Sequence, residues 1–189
     1  FPLIKSTFSF NSISMGYVFN SKDAEAYEKW FDEPENRFVK ELEGQLMVNM
    51  INPLRRESVI DIGCGSGRSL LPFVEKGIFS VSGLDPSQYM LDMASDRMGN
   101  RVDLDNGVAE ELPYDDNAFH HAALVRTLEF VESPEKAIEE ACRVAKNSLF
   151  IGLMNRQSLR GTKLRVKRLF TDTFYNHARF FSIWELKQI

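Results

Sequence analysis

Cysteine is almost absent: the 189 residues hold two, Cys64 and Cys142, far apart. They make no disulfide framework and fit a reducing, cytoplasmic setting. No Cys-x-x-Cys occurs, and the three histidines, His120, His121 and His177, lack metal-ligand spacing, so no metal site is expected. No apolar run approaches the ~18 residues of a membrane helix, and no membrane partner is expected. An excess of positive charge is also lacking, since the net charge is −4. What basic charge there is gathers late. Through residue 154 there are 15 basic and 25 acidic residues, against 8 and 2 afterwards. The cluster Arg156, Arg160, Lys163, Arg165, Lys167 and Arg168 could attract an anion. No aromatic platform interleaves with it, which fits a solvated helix face better than a nucleic-acid surface. Repeats are lacking too. With 43% hydrophobic and 26% charged residues, the chain reads as one globular domain.

What is present centres on residues 59–67, Val59-Ile60-Asp61-Ile62-Gly63-Cys64-Gly65-Ser66-Gly67. An apolar run ends in an acidic residue, and glycines then fall at every second position. This reads as a buried strand, a tight turn and the start of a helix over 67–76. Glycine lets the backbone approach a ligand where a Cβ would clash, and a helix start offers unpaired N–H groups. A dinucleotide fingerprint, Gly-x-Gly-x-x-Gly, would need its third glycine at position 68, which is Arg68.

Strands and helices alternate after this point. Strands are expected at 58–62, 79–84, 101–105, 119–125 and 148–153. Helices are expected from Pro86-Ser87 and from Ser133-Pro134, the latter carrying Ala137, Ile138, Ala141, Cys142 and Ala145 toward the core. Such alternation implies an α/β fold: a mostly parallel sheet with helices on both faces. Earlier, residues 17–31 are rich in aromatics. A helix follows Pro34 with Phe38, Leu42, Leu46 and Met50 at four-residue spacing. Residues 1–14 lack the charged region and cleavage site of a signal peptide. With Met15 as a natural start, 1–16 reads as an extension or expression remnant. Weak strand alternation over Ser6–Phe10 carries no assignment.

The pattern Asp-x-Gly-x-Gly-x-Gly closely resembles motif I of the class I S-adenosylmethionine (SAM)-dependent methyltransferases, in their small-molecule branch that includes ubiquinone and menaquinone biosynthesis. Asp85 ends the second strand 18 residues past Gly67, where a carboxylate meets a ribose diol; a cap for the helix at Pro86 is the alternative role. Gly107-Val108-Ala109-Glu110-Glu111-Leu112-Pro113 resembles the adenine-side loop of that branch. Val108 stands where the family usually has Asp, leaving backbone atoms at 108–110 for the adenine, and His120 replaces a second usual Asp. His120 and His121 read as strand residues, one inward and one outward.

The resemblance implies a Rossmann-like three-layer sandwich. It implies SAM as cofactor, S-adenosylhomocysteine as product, and a small-molecule acceptor. The cofactor residues it implies are Tyr27, Trp30, Asp61, Gly63, Cys64, Gly65, Gly67, Asp85, Pro86, Ser87, Met90, Val108, Ala109, Glu110, Arg126 and Leu128. The loop Arg126 to Phe130 and the segment 174–181 would bound the acceptor pocket, with Glu129 and His177 as candidate bases. Each has a plainer role, as an exposed cap and as packing beneath a lid. The division expected is a lid and helix over 17–52, a SAM-binding core over 53–154, and a basic, aromatic acceptor-side segment over 155–189. The family sheet has seven strands, whereas five are counted here, so the C-terminal edge strands are missing from this count. An uncovered edge invites a homodimer. Two other readings stay open: a non-catalytic SAM-binding or interaction protein, and an NAD-dependent oxidoreductase, which the misplaced third glycine disfavours.

Overall fold

A computed structural model describes residues 16–167, 170 and 173–189. Residues 1–15 of the expected extension, with the Ser6–Phe10 alternation, and Arg168 lie outside them, as do the side chains of Phe38, Arg160, Lys163 and Lys167. Five strands form one all-parallel sheet: β1 (Ser58–Ile62), β2 (Ser80–Asp85), β3 (Asp103–Asn106), β4 (Phe119–Val125) and β5 (Ala145–Gly152). Their spatial order is β3-β2-β1-β4-β5. The reversal between β1 and β4 leaves a crevice above their carboxyl ends, the place where open α/β sheets bind ligands. β1 is centred because it is apolar on both faces: Val59, Ile60 and Ile62 are fully buried.

The helices are α1 (Ser21–Asp32), α2 (Pro34–Ile51), α3 (Leu71–Glu75), α4 (Gln88–Met98), α5 (Pro134–Val144), α6 (Leu159–Lys167) and α7 (Ile183–Leu186). On one face Met47, Phe73, Leu91 and Met98, from α2, α3 and α4, pack against Val59, Val81 and Ala123. On the other, Ala137, Ala141 and Val144 of α5 pack against Ile60, Ile62, Ala122 and Leu124. The α/β sandwich with helices on both faces is thus the architecture found. Ser87 caps α4 by accepting from Met90 N–H, and Ser133 caps α5 with Pro134 as its first residue.

Five expectations change, the first being that β5 opens at Ala145 and not at 148, so Ala145 is a strand residue and not the end of α5. The helix after the glycine loop starts at Leu71 and not at 67. Gly63, Gly65 and Gly67 all hold left-handed φ values of 76°, 54° and 77°, so the turn is spent before a right-handed helix can begin. The stripe Leu42, Leu46 and Met50 faces outward, with Leu46 48% and Met50 72% exposed, whereas Met47 is 1% exposed. The buried face of α2 is Gly44, Met47 and Ile51, because Gly44 lets the helix approach Pro72. Cys142 is exposed, and Val144 takes the core position on α5. β3 starts two residues later than expected, after a 3-10 turn over Gly99–Arg101.

His120 and His121 are strand residues. His121 is buried against Ser148 Oγ at 2.8 Å and Glu57 at 3.1 Å, and His120 meets Ser58. Beyond β5 the chain forms α6, a single turn over Phe174–His177 and α7, and β5 has no strand on its outer side among the described residues. Asn155 makes one isolated parallel bridge to Phe181. Arg156 pairs with Glu185 at 3.2 Å and Arg165 is solvent-exposed. No described helix is long and apolar enough to cross a membrane.

Candidate functional site

The crevice above β1, β2 and β4 is a cleft of about 700 Å³ of atom-free space, its open mouth included. Gly63 and Gly65 follow β1 on its floor. Gly63 is forced by its neighbours, since a Cβ there would lie 2.4 Å from the Thr127 side chain. Thr127 is itself fixed by a 2.7 Å hydrogen bond from Oγ1 to the Ile62 carbonyl. Gly65 is different: a Cβ there would meet nothing within 4 Å, yet φ is +54°. The space beside it is cleft, so this glycine keeps room for something other than protein.

Asp85, the last residue of β2, is 8% exposed and lines the same cleft. Its Oδ2 accepts from Gly65 N–H at 2.9 Å and its Oδ1 from Ser87 N–H at 2.8 Å. Burial pushes its carboxyl up to about 6, against these two hydrogen bonds. A carboxylate has about four acceptor positions. Two are taken by backbone and two remain for a ligand. The expected cap role is therefore present as well, through Ser87.

Asp61 lies beneath this floor, fully buried in β1. Ser69 Oγ donates to its Oδ2, and Oδ1 has no partner among the described residues. Burial, and secondarily the Asp85 charge, raise it to about 7. Two raised carboxyls side by side are a feature of functional sites.

The far wall comes from the loop after β4. Arg126 sits at φ +58°, an uncommon conformation for arginine. Its Nη2 donates to both Glu43 oxygens at 2.7 Å, and its guanidinium lies 5.2 Å and 5.1 Å from the ring centres of Trp30 and Phe31. Burial opposes the charge, but the Glu43 carboxylate more than offsets it. Val108 and Ala109, with Pro86 and Met90, give the opposite end an apolar lining. Glu110 reaches the cleft too, but its Oε1 is engaged by the N–H groups of Glu132 and Ser133.

The roof is the N-terminal segment. Tyr17 N–H donates to the Phe130 carbonyl at 2.8 Å, and Ser87 Oγ donates to the Phe19 carbonyl at 2.6 Å. Phe19 packs edge-on against Phe130 with ring centres 5.0 Å apart. From α1, Glu28 receives Ser66 Oγ, Arg68 Nε at 2.9 Å and Arg97 Nη2 at 2.6 Å. Burial would raise this carboxyl, but the Arg68 and Ser66 donors hold it below its usual range. The position where a dinucleotide fold needs its third glycine is thus an arginine that fastens α1 over the glycine loop.

Of the residues expected at the cofactor, ten line this cleft: Tyr27, Gly63, Gly65, Asp85, Pro86, Met90, Val108, Ala109, Glu110 and Arg126. Six do not. Asp61 and Gly67 lie beneath the loop, where a Cβ on Gly67 would come 3.1 Å from Ala94. Ser87 braces Asp85 and Phe19. Cys64 lines a neighbouring cavity, with its thiol raised by burial. Trp30 backs Arg126, and Leu128 is a fully buried core residue. Gly16, Tyr17, Phe19, Val125 and Thr127 are lining residues that the sequence reading left out. The aromatic run from Tyr17 was the available signal for the roof; nothing local marked Gly16, whose Cβ would fall 2.2 Å from the Phe130 carbonyl.

The two candidate bases separate. His177 is exposed, its ring stacked on Tyr17 at 3.8 Å and 4°, and it lines none of the cavities described. Glu129 is 3% exposed, so the plain cap role fails. Its Oε1 accepts from Met154 N–H at 2.7 Å, and its Oε2 has no partner among the described residues. Burial raises it to about 7. It lines an inner cavity beside the cleft, together with Tyr27, Arg126, Phe174, Tyr175 and Phe180.

Residues 60–151 match the family model described as a methyltransferase domain. Over 167 residues the chain is 35% identical to uncharacterized protein MJ1123 of Methanocaldococcus jannaschii, covering 87% of this chain and 75% of that one. It is 32% identical over 102 residues to demethylmenaquinone methyltransferase of Renibacterium salmoninarum, covering 54% of this chain but only 42% of that one. A solved SAM-dependent methyltransferase from Thermotoga maritima superposes with a TM-score of 0.69 at 31% identity, over 89% of this chain and 75% of that chain.

Proposed function

The chain belongs to the class I SAM-dependent methyltransferases, and from that premise we propose that it transfers the SAM methyl group to a small-molecule acceptor. The observation that carries this reading is the pairing of Gly65 with Asp85. One leaves open space at a left-handed turn, and the other keeps free acceptor positions on the same cleft wall. SAM would lie across the carboxyl ends of β1 and β2. Its aminoacyl part would rest on Gly63 and Gly65, its ribose on Asp85, and its adenine among Val108, Ala109, Pro86 and Met90. Bound there, SAM would supply a methyl carbon already made electrophilic by its sulfonium.

The chain's own work is then alignment and exclusion of water. In-line displacement needs donor and acceptor held together, which supplies several kcal/mol of the roughly 7–11 available to well-oriented reactions. A dry pocket favours dispersal of charge. Tyr17, Phe19 and Tyr27 form the roof that would exclude water, with Glu28 fastening it. On this reading residues 17–52 are lid and helix, 53–154 the cofactor core, and 155–189 the acceptor side. The methyl acceptor named in the Renibacterium relative, a demethylmenaquinone, supports a small organic acceptor and no more than that.

Titration calorimetry with SAM, S-adenosylhomocysteine and NAD tests the cofactor. The two sulfur ligands are expected to bind and NAD is not. Transfer of label from methyl-labelled SAM to small acceptors tests catalysis. Binding of NAD in preference to both would overturn the reading.

A further inference from the structure

The end of the cleft beyond Asp85 is short of hydrogen-bond acceptors. Pro86, Met90, Val108 and Ala109 line it, and none of their side chains carries a nitrogen or an oxygen. The acceptors close by are already engaged. The Val108 carbonyl accepts from Glu111 N–H at 3.3 Å, closing a turn over 108–111. Asn106 Nδ2 donates at 3.1 Å to the carbonyls of both Asp85 and Pro86. Glu110 Oε1 takes the N–H groups of Glu132 and Ser133 at 2.8 Å and 3.3 Å, which ties that carboxylate to the start of α5.

Donors, by contrast, are in surplus. Ala109 and Glu110 are the two central residues of the turn and are only 5% and 7% exposed. Their N–H groups donate to nothing among the described residues. The turn's own bond runs from its fourth residue to its first and leaves the middle two unpaired. Buried backbone donors call for an acceptor. This wall therefore suits a flat group that accepts hydrogen bonds and gives little to one that donates them.

A purine has both kinds of edge. Its ring nitrogens accept, and its exocyclic amine donates. A site built to pair with a ligand donor rejects the analogue lacking that donor, because the site's own polar group is left unpaired. Val108 has no polar side-chain atom to leave unpaired. An amine pressed against it would give up water and gain nothing in return.

We infer that this end of the cleft holds a purine by its faces and ring nitrogens and leaves the exocyclic amine unread, with Val108 as the position that sets this tolerance. The inference rests on the methyltransferase reading for the placement of the base.

Calorimetry with two ligands separates the two claims. One is S-adenosylhomocysteine and the other is its analogue with hydrogen in place of the 6-amino group. Failure of both to bind sinks the cofactor reading. Where S-adenosylhomocysteine binds, the ratio of the two affinities tests this inference alone. The deamino analogue should bind the native chain within about three-fold of S-adenosylhomocysteine, or tighter. A larger loss would overturn the inference, and that comparison needs no variant. Val108→Asp sets an acceptor on the wall. The variant should favour S-adenosylhomocysteine over the analogue by about five-fold or more, with the melting temperature confirming its fold. A folded Val108→Asp protein that still fails to tell the two apart would overturn the role given to Val108.

Discussion

Replacing Asp85 by alanine tests the cofactor site most directly, because its carboxylate has two jobs that can be weighed separately. Two backbone donors, Gly65 N–H at 2.9 Å and Ser87 N–H at 2.8 Å, hold it in place. Their loss costs on the order of 1 kcal/mol each. Part of this is returned, since the same substitution removes a carboxyl that burial already pushes up to about 6. Melting temperature should therefore move only modestly. Ligand affinity should move more. Two charge-assisted hydrogen bonds to a ribose diol are worth about 2 kcal/mol net, or roughly 30-fold in Kd. Calorimetry with S-adenosylhomocysteine at pH 7.5 measures this, where the native carboxyl is ionised. Acid supplies a second readout. As pH falls through about 6 the native carboxyl is neutralised and affinity should drop, a step the alanine variant lacks. Unchanged affinity in the variant, or identical pH profiles, would refute the assignment of Asp85 to the ligand.

The two glycines of the floor should part company. Gly63→Ala drives a Cβ into Thr127 and loosens its bond to Ile62, so the protein should lose several degrees of melting temperature. Gly65→Ala adds only the left-handed penalty of about 1–2 kcal/mol, yet should abolish S-adenosylhomocysteine binding because its Cβ enters the cleft. Asp61→Asn should flatten the pH dependence of stability. The folded carboxyl sits at about 7 against an ordinary 3.8, so the folded state holds the proton more tightly. Native stability then falls as pH rises from about 4 to about 7; denaturant melts across that window should show a shallower fall in the variant, and parallel curves would contradict the burial argument. On α2, Met47→Ala should cost about 2–4 kcal/mol and Leu46→Ser less than about 0.5 kcal/mol, a contrast read by urea denaturation.

The succession of elements along the chain was legible in the sequence because each signal is local. β1 and β4 were readable to the residue, since Val59, Ile60 and Ile62 end at the glycine loop and the apolar run from Ala122 to Val125 ends at Arg126. Ser133-Pro134 marked the start of α5 because capping needs only neighbours in sequence. The glycine loop announced its turn, since left-handed φ is written in the residue type. Asp85 was legible by its distance from Gly67, as one helix and one strand span a fixed length.

Other features depended on packing between distant segments. Four-residue spacing identified α2 but chose its wrong face. Leu42, Leu46 and Met50 and the pair Met47 and Ile51 are both apolar stripes, and Gly44 against Pro72 decides between them. Glu129 and His177 looked equivalent as candidate bases in sequence. Tertiary structure buries one against Met154 N–H and lays the other on Tyr17, outside the cavities described. The raised carboxyls of Asp61, Asp85 and Glu129 depend on burial, which only the packing of distant segments around each of them supplies. Sequence by itself determined the family, the order of elements and the cofactor motif, which are properties of short segments. Tertiary structure alone decided which side chains meet in the inner cavity, because burial and electrostatics belong to neighbours in space, and Tyr27, Glu129, Met154 and Phe174 come from separate stretches of the chain.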